Sequence, residues 1–93
     1  MNHFVPGNRL KLQETNGERL WFLPAECEVI ESITGLRGRL VRARLSAPIP
    51  LRNSTIAEII LVIDECGACE IYMGFTPALI IDPILKLGRA RVA

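Results

Sequence analysis

The sequence predicts a mainly β protein, a single small barrel-like or sandwich domain of about six or seven mostly antiparallel strands, with room for one short helix. Three observations lead there. Polar and apolar residues alternate with period two in Arg9–Thr15, the signature of a strand with one buried face. Turn signals recur at short intervals: Asn16-Gly17, Gly35 and Gly38, Pro48 and Pro50, Gly67-Ala68, Asp82-Pro83. The longest apolar run, Ile59–Ile63, is crowded with β-branched residues, which suit a pleated sheet better than a helix. At 93 residues the chain makes one domain, residues 1–93.

Taken in order, Arg9–Thr15 and Glu18–Leu23 flank Asn16-Gly17. That dipeptide is the strongest short hairpin signal, because a type I′ turn needs positive φ at both central positions. The two-residue loop sets Leu12 opposite Trp21, Leu10 opposite Leu23 and Glu14 opposite Arg19, which makes Trp21 a core residue. Pro24 ends that strand.

Glu26–Glu31 and Arg39–Leu45 are expected to pair antiparallel so that charge meets charge. Glu28 then faces Arg42, Glu26 faces Arg44 and Ile30 faces Leu40, while Val29 faces Val41 and Cys27 faces Ala43 on the other side. Ser46–Ser54 is a proline-rich, extended connection.

Thr55–Glu65 has a helical capping pattern at Thr55-Ile56-Ala57-Glu58, but its β-branched density favours a strand. With Glu70–Phe75 it forms a hairpin about Gly67-Ala68, a pair suited to a type II′ turn. The tail reads as a strand at 78–81, a turn or short helix at Asp82-Pro83, and a weak strand at 88–92.

Net charge is +1, so no overall field draws the molecule to nucleic acid or anionic lipid. No apolar run approaches the roughly 18 residues of a membrane helix, and the first residues lack a basic stretch followed by an apolar core. The odd cysteine count, three, argues against a disulfide framework and points to a reducing cytoplasm. An apolar content of 49% is high for so short a chain; the surplus belongs on a surface that something covers.

The candidate sites are few. Cys66-Gly67-Ala68-Cys69 supplies two metal-ligand positions. A structural zinc site needs four, which Cys27 and His3 would complete. Over eight residues, Val62–Cys69 resembles the strand leading to the thioredoxin dithiol, and that resemblance implies redox chemistry on a helix N-terminus. Glu70–Phe75 does not read as the required helix, and the acids Asp64, Glu65 and Glu70 would hold a thiol protonated. In a two-residue turn Glu65 lies opposite Glu70, a pair of like charges that a metal or a partner's arginine would neutralise.

The arginines Arg37, Arg39, Arg42, Arg44 and Arg52 come with no acid between them, a pattern suited to phosphate. Arg42 and Arg44 are assigned to glutamates, so Arg37, Arg39 and Arg52 are the ones left to bind nucleic acid. No nucleophile–base–acid set can be placed by spacing, and no glycine loop is built to cradle phosphate.

The expectation is therefore a cytoplasmic, non-enzymatic binding and assembly module acting as a homo-oligomer, without a cofactor and with no legible small-molecule ligand. Its interface is expected along the central strands and the acidic tip, with Glu65 and Glu70. The alternatives are a small barrel that binds nucleic acid through its arginines, and a zinc knuckle or small enzyme site at Cys66 and Cys69.

Overall fold

In the computed structural model, described for residues 4–15, 17–35, 38–74 and 86–93, six strands close into an antiparallel barrel. They are β1 (Arg9–Gln13), β2 (Ala25–Gly35), β3 (Gly38–Pro50), β4 (Thr55–Ile63), β5 (Ala68–Met73) and β6 (Lys86–Val92). Each strand pairs with the next in sequence, and β6 returns to β1 through Leu12↔Val92 and Gln13↔Arg91. Thr55–Ile63 is a strand, as its β-branched content favours, and its Ile59, Leu61 and Ile63 point inward. The expected strand at 78–81 and the Asp82-Pro83 turn lie outside the described residues.

The interior is made by alternate residues of every strand. Leu12, Cys27, Val29, Val41, Ala43, Ile59, Leu61 and Ile71 are at most 1% exposed, and burial of this kind is the main stabilising term in folding. A second apolar cluster lies on the outer face of β4 and β5, where Ile60, Val62 and Tyr72 are also buried and Leu40 packs against them. The apolar side chains on the outer face of the central strands are thus mostly buried within the single chain.

Two pairings differ from expectation in informative ways. Between β2 and β3 the register begins with Cys27↔Leu45, Glu28↔Arg44 and Val29↔Ala43, two residues along from the expected one. A shift of two leaves every side chain on its expected face. Glu28 meets an arginine, and Val29 and Ala43 stay inside. After Val29 a β-bulge intervenes and pairing resumes as Glu31↔Arg42, Ser32↔Val41 and Ile33↔Leu40. The extra residue, Ile30, reverses the alternation. Glu31 and Ile33 are turned outward, and Ser32 is turned in.

The hairpin at Asn16-Gly17 stops after one bridge, Thr15↔Glu18. Leu10 pairs with Cys27, and Leu12 with Ala25 and Val92, so both ladder sides of β1 are taken. The returning segment is held by β6 instead. The Glu18 carboxylate accepts a hydrogen bond from the Arg89 N–H at 3.2 Å, and Leu20 lies over Gly88, where a Cβ would come within 2.6 Å of it. Leu23 is buried, but Trp21 is 71% exposed, contrary to its expected place in the core.

Candidate functional site

The β4–β5 turn holds the sharpest local motif and departs from the two-residue form. Ile63 pairs with Cys69 and Val62 with Glu70, so the loop is Glu65-Cys66-Gly67. The Asp64 carboxylate organises it by accepting from the Cys66 N–H at 2.8 Å and the Ala68 N–H at 3.0 Å. Gly67 supplies the left-handed residue that a three-residue loop needs, with φ +86°. Glu65 is therefore not opposite Glu70. It borders a hollow of about 590 Å³ with Phe4, Arg39 and Asp64. Glu70 lies on the outer wall, across from Arg89, and accepts from Lys86 Nζ at 2.7 Å.

The same register separates the two cysteines. Cys66 is exposed at the loop, whereas Cys69 is 3% exposed and joins Cys27, at 0%, in the barrel interior. Burial pushes the Cys27 thiol up to about 11. Cys69 is pushed up to about 12, again chiefly by burial, with Cys27 and Asp64 adding to the rise and a hydrogen bond at Ala90 opposing it. Such thiols are poor nucleophiles and poor metal ligands at neutral pH, since both roles belong to the thiolate. Among the described residues no group of three or more His, Cys, Asp or Glu is placed to hold a metal ion. His3 lies outside them.

The arginines are dispersed. Arg42 bridges two strands, bonding Glu31 at 3.1 Å and Glu58 at 3.2 Å, and Arg44 lies 3.9 Å from Glu58. Arg39 donates to Ser32 Oγ at 3.0 Å and sits 5.8 Å from the centre of the Phe4 ring. Arg52 is exposed just past the far end of β3, so Arg39 and Arg52 stand at opposite ends of that strand. Arg37 lies outside the described residues. A cleft of about 600 Å³ on the outer wall mixes charges, with Glu18, Asp64, Glu70 and Arg89 around Thr15 and Val62.

What the sequence reading missed is apolar and exposed. Trp21, Ile33, Val5 and Leu51 are 71%, 49%, 45% and 41% exposed. Trp21 stands edge-on to Phe22, with ring centres 5.9 Å apart. Ile33 sits at the end of β2, beyond the last β1 pairing at Glu28. Its place beside Glu31 and Ser32, two polar residues in a row, was the one available sign that the alternation breaks there. No helix among the described residues is long and apolar enough to cross a membrane. Comparison with protein families, with curated proteins and with solved structures finds no match.

Proposed function

We propose that this chain is a non-enzymatic binding module that acts by assembling with further copies of itself. The observation that carries the reading is the exposed apolar set, Trp21, Ile33, Val5 and Leu51, on a barrel whose interior is already filled by its own strands. Large exposed apolar groups on a small domain favour an interface. Aromatic and aliphatic anchors of this kind carry most of the binding energy where interfaces form. Three free cysteines, two of them buried and protonated, fit a reducing compartment, and the cytoplasm is the proposed location.

Native mass spectrometry of tag-free protein over a concentration series tests the reading. A multimer whose population grows with concentration is the expected result. A monomer at the highest workable concentration refutes it.

A further inference from the structure

The barrel closes unevenly, and among the described residues one margin of it has no strand beside it. β1 pairs with β2 from Arg9↔Glu28 to Leu12↔Ala25. The preceding turn carries the Gly7 N–H to Val29 and the Val29 N–H to Asn8. Beyond Val29, the stretch Glu31–Gly35 pairs with β3 on one side and with no described strand on the other. β3 has a comparable margin at Ser46–Pro50, past its last β2 pairing at Leu45. The two differ in protection. Pro48 and Pro50 remove donors from the β3 margin, a common guard against edge-to-edge pairing. Glu31-Ser32-Ile33-Thr34-Gly35 contains neither proline nor lysine.

We propose that two copies of this chain pair antiparallel along Glu31–Gly35, about a two-fold axis through Ile33. The inference rests on the assembly reading and specifies its surface. The occupant is a second copy because the segment complements itself. When faces are kept, only even shifts of register are allowed. Centred on Ile33, Ile33 meets the partner's Ile33, Ser32 meets the partner's Thr34, and Glu31 meets the partner's Gly35. No like charges oppose one another, and Glu31 is already held by Arg42. Centring on Ser32 would set Glu31 against the partner's Ile33. Centring on Thr34 would set Ile33 against the partner's Gly35 and lose the apolar contact.

The favoured register also completes a row. Ile33↔Leu40 and Leu40↔Val62 are cross-strand neighbours on the outer face. Joining two such rows at the axis covers Ile33, the one large apolar side chain of the row that is exposed, and runs one sheet through both barrels. Main-chain hydrogen bonds supply affinity in this mode of recognition, and the side chains supply register.

The test compares the wild type with three variants in the full chain. Ile33→Lys places two like charges face to face at the axis, and the dissociation constant should rise more than about tenfold while the thermal transition is kept. Glu14→Lys alters an exposed position just past β1, whose end lies beside Ala25 at the opposite end of β2 from Ile33, and should leave association unchanged. Ile33→Cys in a Cys66→Ser background should form a disulfide-linked dimer on mild oxidation, since directly opposed strand residues have Cα atoms about 4.5–5.5 Å apart, within reach of a disulfide.

A wild-type monomer overturns both the assembly reading and this one. If the multimer survives Ile33→Lys and the Ile33→Cys variant forms no cross-link, the edge is overturned and assembly stands. Loss of association in Glu14→Lys but not in Ile33→Lys, or a monomer that retains an extended peptide of another protein, also overturns it.

Discussion

The two thiols inside the barrel predict an alkaline limit to stability. In the unfolded chain Cys27 and Cys69 ionise near the ordinary 9.0, and in the folded chain near 11 and 12. Below pH 9 both states keep the protons, and the contribution is fully present. Between about pH 9 and pH 11 the unfolded chain releases protons that the folded chain holds, so each step upward in pH favours unfolding. At about 1.4 kcal/mol for each tenfold change in proton affinity, Cys27 contributes on the order of 3 kcal/mol and Cys69 on the order of 4. Total stability for a chain of this length is about 5–14 kcal/mol, so the loss from the two thiols, about 5 kcal/mol by pH 11 and about 7 beyond pH 12, removes a large share of it. Urea denaturation followed by circular dichroism, repeated at stepped pH, reads the effect. The Cys27→Ala, Cys69→Ala double variant should be less stable at neutral pH, because it opens space in the core, yet should lose stability more gradually above pH 9. All other ionisable groups are common to the two proteins and drop out of the comparison. Parallel curves for the two proteins would refute the account of buried, protonated thiols.

Two further outcomes follow from the same geometry. At pH 8 an alkylating reagent should modify Cys66 rapidly and the other two cysteines only on the time scale of opening. Cys66→Ser should abolish the fast phase and keep the thermal transition, and a fast phase that persists in that variant contradicts the placement of Cys69 inside. Gly38→Ala should cost at least about 2 kcal/mol, because a Cβ there would lie 2.5 Å from the Ile63 carbonyl oxygen at φ +127°. Gly7→Ala, at φ +91° with open space around it, should cost about half as much. Equal losses in urea midpoint would discount the contact between β3 and β4.

The barrel was legible in the sequence because alternation is a local signal that survives small errors of register. Glu28 was expected opposite an arginine and met one, although a different one, since a slip of two residues preserves faces and charges alike. The bulge at Ile30 left one local mark, the adjacent polar residues Glu31 and Ser32, and its position shows only once Arg42 is seen bonding both Glu31 and Glu58 across three strands. The hairpin at Asn16-Gly17 failed for a long-range reason, since β6, far along the chain, occupies the ladder that Leu12 would have offered to Trp21. At the β4–β5 tip, Asp64 caps two N–H groups and so lengthens the loop by one residue, which parts Glu65 from Glu70 and Cys66 from Cys69. The candidate surface at Ile33 depends on that unread bulge, and so could not be placed from sequence.

The extra residue at Ile30 also bears on how such a surface is inherited. Two steps along β2 oppose one step along β3 there, from Val29↔Ala43 to Glu31↔Arg42. Loss of Ile30 alone would join Val29 to Glu31 with every face kept, so Glu31 would still meet Arg42 outside and Ile33 would stay outward. A lineage could not shed the outward isoleucine by that shortening of the chain. Point substitution at position 33 remains the open path, so exchange of one side chain, not change in chain length, is where variation in this surface should accumulate.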